Sequence, residues 1–159
     1  MTLRGDELAS TARMFVQSFS ATPRGARLAR RLAAQQLEEW GLPYGDPVGD
    51  VIVLVVAELA NNAALHRREN GPDDGPVGGP GHTFELRLTY DTAAATFRIE
   101  VADRHPGRPT TLPPLPDGEA ENGRGLLLVA ALAARWGVCA GRTSDVGKVV
   151  FAEVDVSTG

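Results

Sequence analysis

The spacing of apolar positions changes several times along the chain, and each change marks an element. "RMFVQSFSA" is rich in strand-forming residues. "TPRGARLARRLAAQQLEEWG" follows with helical spacing, Thr22 as N-cap, Pro23 at the first helical position and Gly41 just past the end. Leu28, Leu32, Gln36 and Leu37, with Ala29, Ala33 and Trp40, form the stripe expected to be buried. Arg24, Arg27 and Arg31 form a basic stripe on another side.

A second helix is predicted from "GDPVGD", where Asp46 and Pro47 or Asp50 supply start signals, to about Arg68. Its opening "VIVLVVA" is β-branched, as in a buried strand, but it runs into "ELANNAALHRRE" without the breaker a strand would need. "NGPDDGPVGGPGH" then reads as a linker. "TFELRLTY" places Phe84, Leu86, Leu88 and Tyr90 on one face, and "TFRIEVAD" does the same with Phe97, Ile99 and Val101, so the two are expected to be neighbouring antiparallel strands. The stretch from 104 to 122 carries prolines 106, 109, 113, 114 and 116 and reads as a lid loop. It ends at "NGRGLLLVAALAARWG", a glycine turn feeding an apolar helix, and "KVVFAEVDV" is the last strand.

The order strand, helix, helix, strand, strand, lid, helix, strand, strand predicts an α+β two-layer sandwich, with a mixed, mostly antiparallel sheet carrying helices on one face. With 159 residues and 43% hydrophobic content, a single domain over residues 1–159 is expected.

Charge narrows the class of partner. A net charge of −4 gives no basic excess with which to neutralise phosphates, so a direct nucleic-acid binder is not expected. Fifteen of the sixteen basic residues are arginine, which fits a GC-rich coding bias more than a chemistry. The one cysteine, Cys139, lies among apolar residues after Trp136 and reads as a buried, inert thiol. Neither a charged-then-apolar leader nor a run of about eighteen apolar residues is evident, so a soluble, cytoplasmic protein without a membrane partner is expected.

Three places interrupt the apolar pattern. Glu58 and Asn62 stand four apart on one helix, their head groups roughly 6 Å from each other, either on an exposed stripe or around a shared ligand. "NGRGLLLVAA" is either a tight turn before a core helix or an anion site using the free N–H groups of a helix start. Asp103 ends "RIEVAD" as a turn cap or as the acceptor for a nucleobase amine. Known loops do not fit. "GRTSDVGKVV" has five residues between its glycines and Val149 where a phosphate loop needs a hydroxyl, and "GRGLLL" lacks the third glycine of a dinucleotide fingerprint. No nucleophile elbow or zinc-type spacing is present, and His66, His82 and His105 are scattered.

Taken in order, "ELANNAALH", "VADRHPGRP", "GRGLLLVAALAARWGV" and "GKVVFAEV" resemble the successive boxes of the histidine-kinase-like (GHKL) ATPase superfamily, and are most similar to its small stand-alone anti-sigma-factor serine/threonine kinases. The resemblance covers nearly the whole chain. It implies Glu58 as catalytic base toward an acceptor hydroxyl, Asn62 as the magnesium ligand, and Asp103 as the acid that recognises the adenine amino group. It further implies Gly107 lining the adenine pocket, Gly123, Arg124, Gly125 and Leu126 forming the phosphate-side turn, and His66 shaping the pocket or capping its helix. ATP and Mg²⁺ would be the cofactors; one amide oxygen plus phosphates and waters makes a plausible magnesium shell. A protein antagonist and a sigma factor would be the partners, with a homodimer left open.

Two positions depart from the family pattern. His105 replaces the first glycine of Asp-x-Gly-x-Gly, and Lys148 stands where a threonine usually follows glycine, supplying a possible phosphate contact. These departures allow an alternative, an interaction module with weak or no phosphotransfer, whose arginine stripe docks an acidic partner. A catalytic domain from a larger receptor histidine kinase fits less well, since no phospho-acceptor helix or sensor is evident.

Overall fold

The computed structural model describes residues 12–69, 82–104, 121–140 and 146–156. Strand β1 (Ala12–Ser20) leads into helix α1 (Pro23–Glu39), whose start is fixed by the Thr22 hydroxyl accepting from the Gly25 N–H at 3.0 Å. Gly41 and Gly45, both with φ near +90° (91° and 93°), turn the chain into helix α2 (Pro47–Glu69). There the Asp46 carboxylate accepts from the N–H groups of Val48 (2.9 Å) and Gly49 (3.0 Å). The β-branched run "VIVLVVA" is therefore helical, as its continuity with "ELANNAALH" predicts.

Strands β2 (Thr83–Asp91) and β3 (Thr96–Arg104) form a hairpin, helix α3 (Glu121–Leu132) follows, and β4 (Arg135–Ala140) and β5 (Val146–Asp155) complete the sheet. The sheet order is β1-β2-β3-β5-β4, and every pairing is antiparallel. This is the α+β sandwich expected from the element order, with the sheet wholly antiparallel.

Alternation gives each strand an inner row. Phe84, Leu86 and Leu88 of β2, Phe97, Ile99 and Val101 of β3, and Val150, Ala152 and Val154 of β5 are buried together with Ile52, Val55, Val56 and Leu59 of α2 and Ala29, Ala33 and Leu37 of α1. All three helices contribute to this one core, so they share the inner face. α2 lies at the centre of that layer, touching α1, α3 and strands β2, β3 and β5. Its apolar composition follows from that position.

Two expectations change. Leu28, placed on the buried stripe of α1, is 42% exposed, because Ala26, Ala29, Ala33 and Leu37 already fill the contact with α2 and the sheet. Cys139 is exposed: its neighbours Trp136 and Val138 belong to the inner row of β4, and alternation sends Cys139 outward. Pro47–Leu65 is also long and apolar enough to cross a membrane by length and composition alone, with Asp50, Glu58 and two asparagines as its interruptions, a composition that its place at the centre of the core accounts for.

The outer face is a ladder of charges. Arg135 donates to Glu153 (2.8 Å) and Asp155 (2.7 Å), while Arg98 bridges Glu100 and Glu153, both at 3.3 Å, and lies 4.2 Å over the Phe151 ring. The hydrogen bonds from Arg135 hold the Glu153 and Asp155 carboxyls below their ordinary range, and Asp155 with Glu153 raises the guanidinium in turn. Gly137, opposite Phe151, leaves room for that ring: a Cβ there would approach it to 2.9 Å.

Candidate functional site

The sheet has two distinct ends. Ser20, Thr83, Arg104 and Val146 are successive partners at one of them, and Ala12, Asp91, Thr96 and Asp155 at the other. α1 leaves β1 at the Arg104 end and finishes at the Asp91 end, where the Trp40 ring lies 5.9 Å from that of Phe97. The short turn through Gly41 and Gly45 sends α2 back, so its C-terminal turns arrive at the Arg104 end. Asn62 stands fifteen residues beyond Pro47, roughly 22 Å of helix. Asp103 stands seven residues beyond Thr96, roughly 23 Å of strand in the same direction. The amide and the carboxylate therefore reach the same level of the molecule.

They also share a face. Asp103 is directly opposite Phe84, which is fully buried and stacked on Phe19 at 5.6 Å, so Asp103 leaves the sheet on its helix-bearing side. Lys148 is the cross-strand partner of Asp103 on its other flank and continues the inner row of Val150 and Ala152. The register shifts immediately afterwards: Arg104 pairs with Val146, and Gly147 has no opposite residue. A bulge of this kind ends regular pairing and re-aims the strand, a device common beside sites.

α3 completes this end. Its last residues lead into Arg135, which pairs with Glu153 near the Asp91 end, so its N-terminus faces the Arg104 end. The positive pole of its dipole is thereby directed to the end of the sheet where Asp103 and Lys148 are paired and to which the C-terminal part of α2 brings Asn62. One expectation is corrected: Gly123, Arg124, Gly125 and Leu126 do not form a turn before the helix, because helical backbone already begins at Glu121 and includes them. The glycines sit inside its first turns. Leu126 is part of the core, at 9% exposure.

Among the described residues, the buried polar or charged ones are Asn62 (9% exposed), Asp103 (4%) and Lys148 (7%). Burying such groups is costly unless something satisfies them, so their gathering at one end of the sheet is informative. Glu58, one turn before Asn62 on α2, is half-buried. Asn61, the neighbouring amide, is exposed on another side. His66 belongs to the backbone of α2, and its side chain lies outside the described residues, as do those of Arg124 and the whole of Gly107 and His105. The section of the lid loop from 105 to 120 lies outside them too.

The sequence pattern singled out Lys148 but not its pairing with Asp103. Parity carries that signal: 103 continues the inward series 97, 99, 101, and 148 begins the inward series 150, 152, 154. Among the described residues no group of three His, Cys, Asp or Glu side chains forms a metal cage. A cation here would take Asn62 as a single protein oxygen and draw its other ligands from a bound anion and water.

The fold and its polar end define a class: a two-layer α+β domain with acidic, amide and basic side chains buried at the Arg104 end of its sheet. A family model described as the histidine kinase-like ATPase domain matches residues 19–152, and the chain belongs to that family. Among solved structures, the histidine kinase domain of the blue-light activated histidine kinase EL346 from Erythrobacter litoralis is similar at 20% identity and a TM-score of 0.44. The match covers 69% of the present chain and 45% of that one, so the chain spans less than half its length. No curated protein shows significant similarity to the chain.

Proposed function

We propose that the protein is an ATP-dependent regulatory phosphotransferase of the anti-sigma-factor type, which transfers the ATP γ-phosphate to a serine or threonine of an antagonist protein, sequesters a sigma factor, or does both. It acts in the cytoplasm in transcription regulation. The single observation that carries the reading is the burial of polar side chains at positions that the family resemblance marks. The buried polar residues of the described chain are Asn62, Asp103 and Lys148; two of them, Asn62 and Asp103, are positions to which the family resemblance carries a role, and Lys148 is the residue that departs from its pattern.

In this reading each side chain has a task suited to its place. Asp103 is a buried acceptor at a strand end and takes a hydrogen bond from the exocyclic amine of adenine. The N-terminus of α3 meets the phosphates with backbone N–H groups, favoured by the helix dipole. Asn62 would hold a magnesium ion through its amide oxygen. Magnesium supplies neutralisation of the charge on the transferring phosphoryl group. Glu58, one helical turn away and open to solvent on one side, accepts the proton of the incoming hydroxyl. Much of the rate comes from positioning, so small displacements of these groups weaken transfer strongly.

Calorimetric titration with ATP in the presence and absence of magnesium tests the reading. Binding should depend on magnesium in the parent protein, and Asn62→Ala should abolish the metal-dependent part. Glu58→Gln should bind ATP normally but fail to pass radiolabelled phosphate to a co-purified protein, with a loss of about 10²-fold or more. Absence of adenine-nucleotide binding up to millimolar concentration would overturn the proposal.

A further inference from the structure

We infer that β1 is a dimerisation edge: a second copy of this chain pairs its own β1 antiparallel to the first about a two-fold axis at Val16, joining the two five-stranded sheets into one. The inference does not depend on the nucleotide reading. β1 stands at one end of the sheet order and pairs with β2 on one side; among the described residues no strand lies beside its other row of backbone N–H and C=O groups. Proteins ordinarily blunt such an edge with a short strand, proline or charge. The opposite edge, β4, follows that rule, being six residues long and carrying Arg135, tied to Glu153 and Asp155. β1 does not. It runs for nine residues, holds no proline and one charged residue, Arg13, and leaves Met14 and Val16 exposed by 59% and 43%.

Helix α1 repeats the pattern above the same edge. Leu28 and Leu32 follow Gly25 at helical spacing, and a Cβ on Gly25 would meet Ser20, so this stripe runs along the β1 flank of the helix. Leu32 is half-buried and Leu28 is 42% exposed, an apolar row that one copy begins to cover and does not finish. A second copy fits the edge by symmetry. Val16 is the middle residue of Ala12–Ser20, so an antiparallel two-fold there opposes Val16 to its own mate, sets both Met14 side chains diagonally beside that pair, and uses the whole strand. The axis is perpendicular to the sheet, which keeps both α1 helices on one face with their leucine flanks turned toward each other. Such a contact closes on itself and gives a dimer, not a fibre. Nine residues of strand span roughly 30 Å, and the strand and helix layers together are roughly 20 Å deep. That flat footprint of about 600 Å², increased by side-chain relief, approaches the roughly 800 Å² per partner of a standard interface.

Sedimentation velocity on the full chain over a concentration series tests the inference, and a reversible monomer–dimer equilibrium is expected. Val16→Glu should raise the dimer dissociation constant at least about tenfold, since the substitution counts twice at the axis and opposes two carboxylates. Val16 is exposed and faces Arg87 across the β1–β2 pair, so at concentrations where both proteins are monomeric the variant should melt with the parent. With Cys139 replaced by serine, Val16→Cys should form an inter-chain disulfide on mild oxidation, because a residue on the axis meets its own copy at a cross-strand distance of about 5 Å. Thr89→Cys, one strand further in on the same face, should not cross-link. A chain that stays monomeric to millimolar concentration, a dimer that Val16→Glu leaves intact, or cross-linking through Thr89→Cys in preference to Val16→Cys would each overturn the inference. Pairing of β1 with the chain's own N-terminal residues, or with a strand of another protein, would give the first of these results.

Discussion

Gly25 shows how a single residue answers to its neighbours more than to its own element. In an exposed helix interior, replacing glycine by alanine is favourable by about 1 kcal/mol. Here α1 begins against the end of β1, and a Cβ on Gly25 would collide with the Ser20 carbonyl oxygen and stand 2.7 Å from its hydroxyl oxygen. The obstacle is backbone, which cannot swing aside. Gly25→Ala should therefore destabilise by about 2 kcal/mol, in the range of overpacked cores, and urea unfolding should read this as a lower midpoint with an unchanged slope. A stabilised variant would show that α1 does not sit on Ser20. Residue identities of this kind were only partly legible. Thr22 declared itself as a cap by its chemistry, and Asp103 and Lys148 by breaking apolar rows. Leu28 and Cys139 were misjudged, because nothing local says which side of an element its neighbours will cover.

Elements were more legible than residues because their period is repeated many times. The alternation in β2 and β3 and the unbroken apolar run of α2 leave few other solutions. The start of α3 was less so: "NGRG" has the composition of a turn, yet the helix runs through it, since packing of Leu126 and Val129 against the core outweighs the intrinsic cost of two glycines. The charged ladder on the outer face of β3, β4 and β5 gives a prediction at this scale. Arg135 and Asp155 are 51% and 54% exposed, so the ladder contributes little at high salt. Glu153 and Asp155 titrate lower in the folded protein than in the unfolded chain. Their contribution is thus complete above the ordinary carboxylate range of about 4 and is lost as pH falls through the lowered values. Arg135→Ala should melt earlier than the parent at pH 7 and low salt, and the gap should close on acidification to about pH 3 or on adding 1 M salt. A gap independent of pH would assign the effect to packing instead.

At the scale of the whole molecule, the sequence predicts layers but not neighbours. That β5 would lie between β3 and β4, bringing Lys148 beside Asp103, depends on pairings between segments more than forty residues apart. No local pattern encodes such a choice; it is settled by which strand completes the core under α2. The reversal of direction at each helix then concentrates the buried polar residues at the Arg104 end and leaves the inner face of the Asp91 end to apolar packing, with Trp40 against Phe97 and Tyr90 stacked on Phe97 at 5.6 Å.

The β2–β3 turn at that opposite end offers a handle. Thr92, Ala93 and Ala94 are exposed, and Asp91 pins the turn through the Ala94 N–H at 3.0 Å. A cysteine introduced at Ala93 for immobilisation on a sensor surface, with Cys139 replaced by serine, should orient every tethered molecule with its polar end toward the solution. Nucleotide titrations on such a surface should match those in free solution, whereas tethering through a residue beside Lys148 should suppress them.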